Sequence, residues 1–351
     1  APRVIGQSVH DHEPIYADLF ACTRPGAGGV VGQGLGAIEN AILDAKAKDL
    51  GVPCYALLGG KMRESIRVYW SHCATWRISQ PNFYPPAIKN LADVEKMGRE
   101  VQEKGFTGLK TNIFIYGNGS VRGWGPGFSS PFFASLNVER GVLQNLTAHL
   151  DAFRKGAGSD MDILIDLNFN AKTEGYLKIV RALEEHDIFW VEIDSRNPEA
   201  LAHIRRESRH PISSCETLIG LGEFLPYFKA EAVDVAIIDT MWNGGWQSMK
   251  IAAAADAYEV NVAPHNSNGP ISTAASLHLD MNIPNCFKQE IFVSFLDRYE
   301  AVLTNQIPIH DGFATPPVGP GWGTDIDEEA LKEFPPSEYT PVDSEPYTEF
   351  F

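Results

Sequence analysis

The chain has 351 residues, 44% hydrophobic and 21% charged, the composition of an ordinary globular protein large enough for one barrel plus a smaller domain. A net charge of -16 argues against a nucleic-acid partner, because counterion release needs clustered Lys and Arg, and leaves any attraction of an anionic substrate to a locally bound cation. No apolar run reaches about 18 residues and the opening APRVIGQSVHDHEP has no apolar signal core, so no membrane partner and no export signal are expected, and the expected location is cytoplasmic.

The first sixty residues read as helical. His10, Asp11, His12 and Glu13 read as a solvated helix approach rather than a metal site. The glycines of GAGGVVGQGLG miss the GxGxxG spacing and follow YADLFACTRP, which is not a convincing strand. They are expected to form a loop that lets two helices pack closely, not a dinucleotide turn. GLGAIENAILDAKAKDLG then places Ile38, Ile42 and Ala45 on one stripe, with Gly51 as C-cap and Pro53 beyond it. Five scattered cysteines, Cys22, Cys54, Cys73, Cys215 and Cys286, never form CxxC and read as buried thiols in a reducing compartment.

From IRVYW (66–70) the pattern alternates strand and helix. The first strand ends at Ser71 and His72, and the second, GFTGLKTNIF, follows the helix ADVEKMGREVQEKG. Residues 115–138 form a long Gly- and aromatic-rich stretch, expected as a functional lid or interface loop. In it Trp124, Phe128, Phe132 and Phe133 either cover a site or pack a neighbouring subunit. Further strands are expected near 162–167, 188–193, 211–216, 233–239, 259–265 and 286–291. Together with those near 66–70 and 107–112 they make an α/β protein with a (β/α)8-type, modified TIM barrel spanning 65–314. The proline-rich end, PPVGPGWGTDIDEEALKEFPPSEYTP, is expected to cross back over the N-terminal helices. Residues 1–64 and 315–351 would then form a partial α+β capping domain.

The later strands end in Asp166, Glu192, Glu216, Asp239, His265 and Glu290, spaced 26, 24, 23, 26 and 25 residues apart. One strand, one helix and two short loops consume roughly 25 residues. If the strands are parallel, their terminal side chains converge. A single acid at a strand end is more often a helix cap, but three converging carboxylates repel one another and need a cation. All-oxygen donors select a hard ion, Mg2+ or Mn2+, over zinc.

These segments resemble the enolase superfamily, and within it the mandelate racemase and acid-sugar dehydratase branch, galactonate dehydratase-like members in particular. The resemblance spans essentially the whole chain. AIENAILDAKAKDLGVPCYALLGGKMRESIRVY resembles the junction of cap and barrel, and PGWGTDIDEEAL the closing segment that runs back along the cap. IDLNFN, WVEID and SCET resemble the metal-ligand strands, which implies one Mg2+ on Asp166, Glu192 and Glu216. IIDTMWNGG and APHNSNGPI resemble the strands of an Asp-His dyad, implying His265 as general base and Asp239 as its orienter. Glu290, in FKQE, falls where the resemblance implies a carboxyl group near the substrate carboxylate. The chemistry implied is abstraction of the proton α to a carboxylate, with the enediolate stabilised electrostatically by the metal.

The departures bear on the reaction. Relatives often carry Lys-x-Lys at the second strand, but this chain has Lys110, Thr111 and Asn112. The base for the opposite face is then missing unless Lys110 itself reaches the substrate. Lys110 alternatively holds the carboxylate or a hydroxyl, or simply snorkels from the strand end. Asn112, Asn168, His72 and Trp242 are expected to line the substrate. Trp242 stands where mandelate racemase-like members have lysine. The N-terminal strand meander of the family is not recognisable, and the chain begins near the first cap helix. The implied activity is a Mg2+-dependent hydro-lyase that converts a small-molecule sugar acid to a 2-keto-3-deoxy acid. The alternatives are a racemase, epimerase or cycloisomerase, or a non-catalytic member. A homo-oligomer, octamer or dimer, is implied.

Overall fold

The computed structural model describes residues 2–117, 119–129 and 136–335. Phe132, Phe133 and the end of the tail, 336–351, lie outside the described residues. Eight strands run parallel in one curled sheet: Ile66–Cys73, Gly108–Thr111, Asp162–Asp166, Ile188–Glu192, Ile212–Ser214, Val235–Asp239, Asn261–His265 and Gln289–Ile291. We number them one to eight. The eighth pairs with the first through Val68 and Gln289, Tyr69 and Glu290, and Trp70 and Ile291. Seventh and eighth meet through the single bridge Val262 to Cys286. The sheet is therefore of the parallel α/β kind, curled toward a barrel.

Two cores hold it. Inside the sheet, Tyr69, Leu164, Trp190, Val235, Ile237 and Ala263 form a plug, the filled interior that barrel geometry demands. Outside it, the helices lay apolar stripes on the strands. Helix Leu91–Glu103 buries Val94, Met97, Gly98 and Val101 at i, i+3, i+4 and i+7, and starts where the Asn90 side chain accepts from the Asp93 amide at 3.1 Å.

Several expectations are corrected. The glycines at 29–36 lie inside helix Gly29–Asp49, not in a loop. Close packing does follow: a Cβ on Gly36 would stand 2.5 Å from the Trp242 carbonyl oxygen and 2.7 Å from that of Met241. The buried stripe of this helix runs through Leu35, Gly36, Glu39, Asn40, Leu43 and Ala47, leaving Ile38 half-buried and Ala45 exposed, although Ile42 is buried as expected. The reason is polar. Glu39 accepts from the amides of Trp246 and Gln247 and Asn40 from that of Gly245, so this helix caps the start of helix Gly245–Ala257.

Of His10 to Glu13, His10 and Asp11 are exposed as expected, His10 pairing with Asp49 at 2.9 Å, but His12 is buried edge-on to Trp246 and the half-buried Glu13 accepts from the Trp246 indole at 2.7 Å. The stretch beginning at 115 is not one loop, because Phe114–Gly117 and Ser120–Gly123 form a hairpin and Pro126–Ser129 a helical turn. Cys22 is exposed, unlike Cys54, Cys73 and Cys215. The segment before the tail's end crosses the N-terminal helix: the Trp322 amide donates to Asp44, Lys48 pairs with Asp325, and Gly321 exchanges backbone bonds with Val52 and Cys54. Among the described residues no helix is long and apolar enough to span a membrane.

Candidate active site

Parallel strands deliver their C-terminal side chains to one end of the sheet, and the acids of the ladder gather there around a lysine. Lys110, on the second strand, is 1% exposed. Its ammonium lies 2.9 Å from Glu192, 2.8 Å from Glu290 and 3.8 Å from Asp166. A snorkelling lysine would reach water, so that reading is excluded. Burial opposes its charge, but Glu192 and Glu290 outweigh burial and hold it protonated well above the ordinary lysine range. Burial would raise Glu290, yet Lys110, His265 and His72 draw it well below the usual carboxylate range.

The other acids are under-compensated. Burial pushes Asp166 up to about 6, with Lys110 opposing and Glu216 adding to the rise. Burial likewise takes Glu192 up to about 8. Asp194, which the sequence reading missed, is buried beside them and raised well above its ordinary value by burial and by Glu216 and Asp166. Neither Asp194 oxygen nor Glu192 Oε1 has a hydrogen-bond partner among the described residues. Orphaned buried carboxylate oxygens are expensive. Among the described residues no three acidic, imidazole or thiol groups make a ready metal cage, since the Lys110 ammonium stands between the acids. The donor set nonetheless fits a hard divalent cation: oxygens only, more negative charge than one lysine neutralises, and orphaned atoms a cation would satisfy.

The dyad is built by two adjacent strands. Asp239 ends the sixth strand and caps the helical turn Thr240–Asn243, its Oδ1 accepting from the Trp242 amide at 2.8 Å. Its Oδ2 accepts from His265 Nδ1 at 2.7 Å and Asn268 Nδ2 at 2.6 Å. The cap and the dyad are therefore one residue's work. Because the carboxylate only accepts, Nδ1 carries the proton and Nε2 points away, 3.6 Å from Glu216. Burial would lower the His265 pKa, but Glu216 and Asp239 raise it to about 10. The Trp242 ring stands 5.3 Å from the imidazole.

The expected substrate contacts divide. Asn112 is committed within the protein: Thr75 donates to its Oδ1 at 2.8 Å and its Nδ2 donates to the Asp166 carbonyl at 3.1 Å. Asn168 sits in the left-handed region at φ 45°, its amide donating to Asp166 Oδ1 at 2.9 Å. Both amides thus shape the Asp166 strand end. His72 is half-buried on the first strand, with its Nδ1 2.8 Å from Ser71 Oγ, while Ser71 donates to Glu290 Oε1 at 2.5 Å. Asn266, also unforeseen, pins Glu290 from the other side, its amide donating to Oε2 at 2.9 Å. Asp194 follows Glu192 by two residues in WVEID, the one signal that could have flagged it. Ser71 and Asn266 carried none, because their roles depend on the eighth strand lying between first and seventh.

Comparison with known proteins places this geometry among relatives. A family described as Enolase C-terminal domain-like matches residues 92–330. A solved structure from Burkholderia xenovorans strain LB400, provisionally named an L-alanine-DL-glutamate epimerase and bound to magnesium and fumarate, is 53% identical. It superposes with a TM-score of 0.93, covering 96% of this chain and 84% of its own. A D-galactonate dehydratase family member from Streptomyces bingchenggensis (strain BCW-1) is 27% identical over 348 residues, 95% of this chain and 81% of that protein. A D-mannonate dehydratase from Sphingomonas sp. (strain SKA58) is 26% identical over 342 residues, 93% of this chain and 81% of its own.

Proposed function

This chain belongs to the enolase superfamily, and on that premise we propose that it abstracts the proton α to the carboxylate of a small hydroxy acid, as a divalent-cation-dependent sugar-acid dehydratase. The observation that carries the reading is the His265–Asp239 pair, 2.7 Å apart, with the other imidazole nitrogen facing the acidic cluster 3.6 Å from Glu216. Asp166, Glu192 and Glu216 would hold the cation, Mg2+ by their donor chemistry and by the magnesium bound in the Burkholderia relative. When bound, it supplies electrostatic stabilisation of the charge that builds on the substrate carboxylate.

The chain's own residues do the rest. Asp239 fixes the His265 tautomer and stabilises the imidazolium. Because Glu216 is the chief cause of the raised His265 pKa, Nε2 would release its proton once Glu216 is engaged with a cation, which leaves that nitrogen able to take the α proton. Lys110 and Glu290 stand together beside the acids, and in this reading they receive the substrate carboxylate and a hydroxyl. Trp242 closes the wall next to the base. The imidazolium then returns its proton to the leaving hydroxyl at the neighbouring carbon, water departs and a 2-keto-3-deoxy acid results.

A second reading, epimerisation at the α carbon, is favoured by the 53% identical Burkholderia protein and its provisional name. Product analysis separates the two. The dehydratase reading predicts a semicarbazide-reactive 2-keto acid from an aldonate in the presence of Mg2+, whereas deuterium incorporation from D2O with no keto acid refutes it in favour of the second.

A further inference from the structure

We infer that His72 is a second proton-transfer residue, acting on the substrate from the side of the site opposite His265. The inference rests on the α-proton reading above.

The groups expected to supply such a base are taken. Lys110 is buried and charged among three acids, and both ends of the Asn112 amide are bonded within the protein. His72 is differently placed. Ser71 donates its proton to Glu290 Oε1 at 2.5 Å, so its oxygen is left to accept, and the imidazole nitrogen 2.8 Å away must be the donor. This chain of His72, Ser71 and Glu290 fixes the proton on Nδ1 and leaves Nε2 with its lone pair. Among the described residues the ring's hydrogen bond is the one through Nδ1. The result repeats the arrangement of His265, whose Nδ1 is bound by Asp239.

The placement is symmetric too. Glu290 is held by Ser71, the residue before His72, and by Asn266, the residue after His265. The two imidazole-bearing strands, first and seventh, therefore flank the eighth strand and its Glu290, one on each side. A substrate carboxylate received beside Glu290 would lie within reach of both.

The backbone supports an assigned role. His72 has φ 54° and Ala74 φ 77°, left-handed values that non-glycine residues seldom adopt. The ring is clamped on Phe292, with centroids 4.7 Å apart, and on Trp76 at 6.3 Å. Burial and the Lys110 charge lower its pKa to about 4 and Glu290 only partly opposes them, so the imidazole is neutral near pH 7.

In the step assigned, Nε2 of His72 takes the α proton of one epimer. The Cα–H bond breaks, its electron pair passes to the carboxylate, and an N–H bond forms. Protonated His265 can return a proton to the other face, and the opposite epimer runs the sequence in reverse.

The test is exchange of the C2 proton in D2O, followed by proton NMR, for gluconate with mannonate and galactonate with talonate, using the full chain with Mg2+. The members of each pair differ only at C2. The unaltered chain should exchange both members of a pair. His72→Asn should slow one member at least about 100-fold and leave the other within twofold, and His265→Asn should do the reverse. Ser71→Ala, which removes the tautomer lock while keeping the ring, should slow the same member as His72→Asn. Exchange of only one member by the unaltered chain, or equal slowing of both by His72→Asn, overturns the inference and leaves the proton-abstraction reading standing. Exchange of neither member of any pair overturns both.

Discussion

Lys110 shows how a residue can look ambiguous in sequence and be unequivocal in place. On a strand end a lysine is either a base, a substrate clamp or a surface side chain, and only the surrounding acids decide. Here Glu192, Glu290 and Asp166 surround it. Removing one partner of a buried ion pair strands the others at a cost of about 3–5 kcal/mol. Lys110→Met is therefore expected to lower the unfolding free energy by roughly 3 kcal/mol, read from denaturant midpoints in the absence of added metal. Mg2+ should recover part of the loss, because it neutralises the same acids.

The buried histidines make a second residue-scale prediction. His149 lies between Thr111, 2.9 Å away, and the Tyr116 hydroxyl, 2.5 Å away, and burial lowers its pKa to about 3. Burial also lowers His278 to about 4. In the unfolded chain both titrate near 6.5, so below that pH the unfolded state binds more protons than the native one. Stability is complete above about pH 6.5 and falls as the pH drops toward the folded values, by up to about 1.4 kcal/mol per pH unit for each group. The raised Asp166, Glu192 and His265 act with the opposite sign, so this contribution is read by difference. The denaturant midpoint at pH 5 relative to pH 7.5 should be higher in His149→Gln than in the unaltered chain, and an equal change in both would contradict the buried, neutral assignment.

Among the elements, helix Gly29–Asp49 connects the cap to the chemistry. Gly36 presses on the carbonyls of Met241 and Trp242, and the Trp242 amide in turn holds Asp239. Gly36→Ala gains helix propensity but forces those carbonyls aside. A net destabilisation of about 1–2 kcal/mol is expected, with slower α-proton exchange as Asp239 loses its fixed donor. Unchanged stability and exchange would show that the contact is slack.

This coupling was not legible in the sequence. An apolar period locates a helix, but the stripe it buries here includes Glu39 and Asn40, whose partners lie over 200 residues away. The strands were legible because each is a short apolar run ending in a reactive side chain. The hairpin at 114–123 was hidden by its glycines and aromatics, which read as a loop.

For the whole molecule, a single regularity organises the site: one strand per reactive residue, and parallel strands that bring all the ends together. The ladder could be read from spacing alone. Asp194, Ser71 and Asn266 could not, because each matters only through neighbours created by the curl of the sheet. The central claim is that this end of the sheet removes a proton α to a carboxylate, with His265 as the base and a divalent cation as its partner. The most direct measurement is loss of the C2–H signal in D2O across a set of aldonates and aldarates, with Mg2+, with EDTA, and with His265→Asn. Exchange of at least one acid is predicted with Mg2+, abolished by EDTA and slowed at least about 100-fold on one epimer by the substitution. Exchange that survives both EDTA and His265→Asn, or none with any acid, would contradict the account.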